Sequence, residues 1–172
     1  VFEDSICNPV SKRGKVRLEI EKHWLKTCEN IQIFRSGGVY GLGRHPMIKF
    51  LKGNYEVTTK KDHYPNRISV EDLANIILVS IQNHAPKRII NVTDQNNVTT
   101  IEAIDYVARE LGLTKPIPID YEEADISDMA REFFLSSKTV RSKILTEDFD
   151  YNYIYPDFKK ALLYLTKLSL KV

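Results

Sequence analysis

Residues 31–44, IQIFRSGGVYGLGR, carry a short apolar run that ends in four glycines within seven residues. Ile31, Ile33 and Phe34 predict a short strand of the buried kind. Gly37, Gly38, Gly41 and Gly43 then allow backbone turns that a Cβ would obstruct. The glycines follow a strand, and the spacing that leads into a helix N-terminus and cradles a phosphate is absent. The stretch therefore reads first as a tight crossover loop.

Upstream, residues 11–29 carry Val16, Leu18, Ile20, Trp24, Leu25 and Cys28 among charges, the pattern of an amphipathic helix with one solvated side. Ser11, Lys15 and Glu19 recur on it every four residues. Downstream, a short helix is expected over 45–52, a strand at YEVTT, and RISV leading into EDLANIILVSIQNH, an apolar-periodic helix whose Glu71 and Asp72 suit its positive N-terminal end. KRIINV predicts a buried strand, TTIEAIDYVARELG a helix begun by Thr99 or Thr100 and ended by Gly112, and PIPID another strand. Two helices are expected between Ser136 and Leu170, parted near DFDYNYIYPD. Alternating strands and helices predict an α/β fold, with no internal repeat or low-complexity segment.

The 172 residues are 42% hydrophobic and 28% charged, enough apolar material for one ordinary domain core. Lys and Arg number 25 against 23 acidic residues, too even a balance to mark a nucleic-acid or membrane surface. Cys7 and Cys28 sit in no metal spacing and fit a reduced, cytoplasmic setting. In that setting the N-V-T triplets at Asn91 and Asn97 read as chance. No stretch reads as a signal peptide or as a membrane span of about 20 apolar residues. The opening VFEDSICNPV reads like the middle of a loop, so a fragment or split gene product is expected.

Four stretches together resemble one family. FRSGGVYGLGR resembles the R-x-x-x-(I/V)-Y-G-P-G-R strand and turn of extended short-chain dehydrogenase/reductases, the NAD(P)-dependent epimerase/dehydratase group. RISVEDLANIIL is similar to its R-I-H-V-x-D-x-A helix start, IINVTDQNNVTTIEAIDYVARELG to its N-V-x-D segment and next helix, and SSKTVRSKILTEDFDYNYIYPDFKKAL to its terminal S-S-K…Y-P-D region. The resemblance implies that residues 1–172 form the C-terminal portion of that fold: the second half of a Rossmann-like parallel sheet with a small α/β substrate lobe, the glycine-rich dinucleotide-binding half being absent. It also implies NAD or NADP in the complete fold, with none bound tightly by this portion. A small-molecule substrate such as a nucleotide sugar is implied, and either a homo-oligomer or a complementing N-terminal chain.

Candidate residues follow from the same resemblance. In the family a Tyr-x-x-x-Lys pair works at the start of the corresponding helix, the lysine lowering the tyrosine's pKa and touching the nicotinamide ribose. Here Ser11 and Lys15 occupy those places. A serine hydroxyl is shorter and ionises far less readily than a phenol of pKa ~10. An atypical subgroup of the extended family also shows serine there, followed by R-G. Ser11 reads more simply as a helix cap, and Lys15 as a surface lysine beside Glu19. Lys15, Gly37 and Gly38 are the candidates for cofactor contact; Tyr40, Arg44 and Arg67 border the implied substrate cleft. The planar fork of an arginine suits phosphate or carboxylate. Leu42 replaces the family's proline. His45 and His63 have no partner at metal-ligand spacing, so no metal site is expected.

Overall fold

The computed structural model describes residues 1–96, 98–135 and 137–171. Helix α1 spans Lys12–Thr27, and the Ser11 hydroxyl caps it, accepting from the Gly14 amide at 3.1 Å. None of its residues is fully buried. Leu18, Glu21 and Leu25 form its half-buried face, where Glu21 grips the Arg35 guanidinium through two hydrogen bonds of 2.6 and 3.0 Å.

Arg35 lies on strand β1, Gln32–Ser36, which runs into β2, Gly38–Tyr40. Between them the chain passes so close to the segment entering the fourth strand that a Cβ on Gly37 would lie 2.8 Å from the Asn66 carbonyl oxygen. Only glycine fits that approach. Helix α2 (Met47–Leu51), strand β3 (Glu56–Thr59) and strand β4 (Arg67–Ser69) follow. Ser69 caps helix α3, Val70–Gln82, which returns the chain to β5, Arg88–Val92. Helix α4, Thr100–Glu110, opens on a reciprocal capping box between Thr99 and Glu102 and stops before Gly112, whose φ of +62° ends the helix. Strand β6 (Ile117–Asp120), helix α5 (Asp128–Phe133), a π-helical turn (Ile144–Asp148) and helix α6 (Phe158–Ser169) complete the order.

All strand pairs among the described residues are parallel: β1 with β5, β2 with β4, β3 with β6. The expected α/β class holds, since each parallel pair requires a crossover and helices supply those crossovers. Two apolar cores form. Ile68, Ile76, Ile90, Val92 and Leu145 pack between α3, β4, β5 and the π-turn. Phe50, Val57, Ile104, Val107, Phe158, Leu162 and Leu165 join α2, β3, α4 and α6. The outer edge of β5 is sealed by side chains rather than by a strand, the Asn91 amide donating to Glu3 Oε1 at 3.0 Å and the Thr93 hydroxyl to the Val140 carbonyl at 2.9 Å.

The two helices expected between Ser136 and Leu170 are the π-helical turn Ile144–Asp148 and α6, parted at 149–157 as the sequence suggested; Ser136 itself lies outside the described residues. Asp150 at φ +43° turns the chain out of the helical region, and the amides of Ile154 and Tyr155 are drawn to the Asp72 carboxylate. Strand β2 and helix α5 arise where no element was expected. Asn91 lies buried in β5 with its side-chain amide on the Arg141 carbonyl, which withholds it from a glycan; Asn97 lies outside the described residues.

Candidate functional site

Arg67 at the start of β4, Asp72 in the first turn of α3 and Asp94 just past the end of β5 are buried polar groups within reach of one another's charge, and Tyr40 at the end of β2 adjoins them. Asp72 and Asp94 stand beyond the carboxyl ends of parallel strands, the end where ligand crevices form in α/β sheets.

Asp72 is the most fully hydrogen-bonded of these groups. Its Oδ1 accepts from the Tyr151 hydroxyl at 2.9 Å and the Ile154 amide at 2.7 Å, its Oδ2 from the Ser69 hydroxyl at 2.7 Å and the Tyr155 amide at 3.1 Å. The Asp72 amide in turn donates to Ser69 Oγ at 2.9 Å. A helix N-terminal acid was expected here. The carboxylate does sit in that first turn, and it also fastens the Tyr151–Tyr155 strap to α3.

Arg67 turns inward. Its Nη1 donates to the Val98 carbonyl at 2.7 Å and the Pro65 carbonyl at 3.3 Å, its Nη2 to Thr100 Oγ1 at 2.8 Å, and the guanidinium lies 4.2 Å over the Phe158 ring. Burial lowers its pKa to about 10, which leaves it a cation at neutral pH. Arg44 behaves oppositely. Its backbone closes the Gly41–Arg44 bridge with bonds of 3.0 and 3.1 Å, while its exposed side chain forms no hydrogen bond or ion pair among the described residues. The two forks thus occupy different environments, core and solvent, and the structure does not gather them into one anion site.

Tyr40 is buried edge-on against Phe158, with ring centroids 4.9 Å apart, and its hydroxyl has no partner among the described residues. Burial, reinforced by the Asp94 and Asp72 charges, pushes its phenol well above the ordinary range, so it cannot ionise near neutral pH. Gly37 and Gly38 spend their amides inside the fold, on the Val92 carbonyl at 2.9 Å and the Asn66 carbonyl at 2.8 Å. Neither amide is left to meet a cofactor phosphate, so this pair does not fit that role. Lys15 is exposed and lines an open depression on α1 with Val16, Ile20 and Trp24; Glu19 pairs with Lys22 at 2.9 Å rather than with Lys15.

His45 and His63 are buried packing groups. Burial lowers the pKa of both; His45 Nε2 meets Ser169 Oγ at 3.1 Å and His63 Nε2 the Phe133 carbonyl at 3.1 Å. Among the described residues no group of His, Cys, Asp or Glu could hold a metal, and no helix is long and apolar enough to cross a membrane. Sequence reading passed over Asp94, Tyr151, Tyr153 and Phe158. The alternation in YNYIY was the visible signal for the two tyrosines, because tyrosines at a two-residue period place their rings on one side of an extended strap; Asp94 and Phe158 had no such local signal.

No family model matches the chain, and no curated protein does. Solved structures do. A functionally unknown conserved protein from Silicibacter pomeroyi is 32% identical, with a TM-score of 0.90 over 97% of this chain and 60% of its own. Human epimerase family protein SDR39U1, solved with NADPH, is 19% identical, with a TM-score of 0.76 over 97% of this chain and 59% of its own. The dTDP-glucose 4,6-dehydratase of Bacillus anthracis, solved with NAD, is 15% identical, with a TM-score of 0.76 over 98% of this chain and 55% of its own. The chain therefore spans little more than half the length of these structures. Over that span it has the parallel α/β architecture of Rossmann-like epimerase and dehydratase folds.

Proposed function

We propose that this chain forms the substrate-side portion of an NAD(P)-dependent epimerase/dehydratase-like oxidoreductase of the extended short-chain dehydrogenase/reductase family, which acts on a nucleotide sugar or a similar polar metabolite when complete. The observation that carries this reading is the superposition of nearly the whole chain on NADPH- and NAD-bound structures of an epimerase family protein and a dehydratase. The four sequence resemblances, which fall in the family's order, support it.

Lys15 is the one cofactor candidate that α1 presents to solvent, and a bound nicotinamide dinucleotide would supply hydride transfer there. Ser11 accepts a backbone amide as a helix cap, which favours a second reading: a relative that binds a metabolite without turning it over. In either case the chain is expected to form a homo-oligomer or to pair with a complementing chain that carries an N-terminal half.

Titration of dTDP-glucose or UDP-glucose into the isotope-labelled chain, followed by amide NMR shifts, tests the substrate side. Shifts gathered around Arg44, and weakened in Arg44→Ala, are expected; no shift with either nucleotide sugar overturns the reading. NAD or NADP is expected to bind the isolated chain no more tightly than about millimolar, roughly −4 kcal/mol. A micromolar calorimetric affinity would show that the glycine-rich half is not needed.

A further inference from the structure

Two carboxyl groups of this fold are equally buried and very differently served. Asp72, 1% exposed, receives four hydrogen bonds of 2.7 to 3.1 Å. Asp94, 4% exposed, receives one, from the Asn96 amide to Oδ1 at 3.3 Å, and its Oδ2 has no partner among the described residues. The nearby cations compensate only in part. Arg67 directs its fork to Val98, Pro65 and Thr100, and no salt bridge reaches Asp94 among the described residues. A carboxylate so poorly solvated by donors is disfavoured against the neutral acid, because burial charges the full desolvation cost to the ionised form alone.

Asp94 also occupies a junction. It lies two residues past the end of β5, and its amide donates to the Arg67 carbonyl on β4 at 2.6 Å. Asn96, two residues on, reaches the Pro156 carbonyl with its side-chain amide at 2.8 Å. The segment that leaves β5 is thus fixed to β4 and to the strap before α6 through contacts on either side of this one carboxyl.

We propose that Asp94 is a proton-operated latch: as the neutral acid it keeps the segment after β5 seated against β4, and its ionisation loosens that seat. The charged and titratable groups whose fields meet at Asp94 are Arg67 from β4, Tyr40 from β2, Asp72 from α3, and Arg141 and Tyr153 from the stretches on either side of the π-turn. Burial outweighs the two arginines and pushes the carboxyl up from 3.8 to about 7. The sign follows directly. The unfolded chain ionises Asp94 near 3.8 and the folded chain near 7, so stability is lost as pH rises between those values and stays lost above them.

Carbon-detected NMR of the Asp94 side-chain carboxyl across a pH series tests the latch on the wild-type chain. A midpoint near 7 is expected; a midpoint below 5 overturns the proposal. The Asp94 and Asn96 amides should exchange with solvent faster above the midpoint, after correction for intrinsic rates, and unchanged protection across it would equally end the proposal. Asp94→Asn keeps shape and removes the charge, so it should raise Tm at about pH 8 and leave it almost unchanged at about pH 4. The same Tm change at both values would assign the residue a packing role only. Should the variant fail to fold, the wild-type titration and exchange still decide.

Discussion

At the scale of single residues, the two polar groups with the clearest work are a hydroxyl that caps a helix and a carboxylate that ties a strap to one. Ser11 satisfies one of the free amides of α1, and replacing such a cap by alanine costs about 1 kcal/mol. Ser11→Ala is therefore expected to lower urea-denaturation stability by about that amount, with Ser11→Asp close to wild type. A loss in Asp as large as in Ala would show that the hydroxyl does something other than capping. Asp72 has more to lose. Its four donors come from α3's own cap and from the Tyr151–Tyr155 strap, and an asparagine in its place would turn an amide NH2 toward two of them. Asp72→Asn should cost about 3 kcal/mol, because buried donors left unpaired lose their full desolvation energy. A loss under about 1 kcal/mol would mean that water replaces the carboxylate at these donors.

At the scale of elements, Arg67 links β4 to the start of α4, through the Val98 carbonyl and Thr100 Oγ1, and to α6 through the Phe158 ring. Lysine keeps the charge but loses the fork and the flat stacking face. Arg67→Lys is expected to destabilise by about 2 kcal/mol and to speed hydrogen exchange in the first turn of α4 more than elsewhere. Uniform exchange along α4 would separate the arginine from that helix start. The helices and strands themselves were largely legible in the sequence, because periodicity and caps are local: Ser11, Ser69 and the Thr99–Glu102 box start their helices, and Gly112 ends one. The polar cluster was legible only in part. Arg67 and Tyr40 stood out by type and place, yet their orientation depends on Phe158, more than ninety residues away from either and invisible to any local pattern. The strap at 151–155 was missed as structure for the same reason, since what holds it extended is Asp72 on a distant helix.

At the scale of the whole molecule, two helices carry apolar residues on their outer faces. On α1, Val16, Ile20 and Trp24 are 52%, 51% and 49% exposed and lie four residues apart, on a different side from Leu18 and Leu25. On α3, Val70, Leu78 and Ile81 stand out from the buried Asp72–Ile76–Ser80 side. The β1 edge away from β5 carries no further strand among the described residues. Unprotected edges and contiguous apolar stripes favour association. The chain by itself is therefore expected to associate with a second copy through the α1 stripe. Trp24 is its single tryptophan, so its fluorescence reports on that stripe alone. Concentration should shift the emission to shorter wavelength as Trp24 leaves water, in step with a rise in mass by light scattering. Ile20→Glu, which places a charge in the middle of the stripe without touching a buried residue, should abolish both changes and leave the helical circular dichroism intact. A single mass at every concentration, with an emission maximum that never moves, would establish that the α1 stripe stays solvated in the isolated chain.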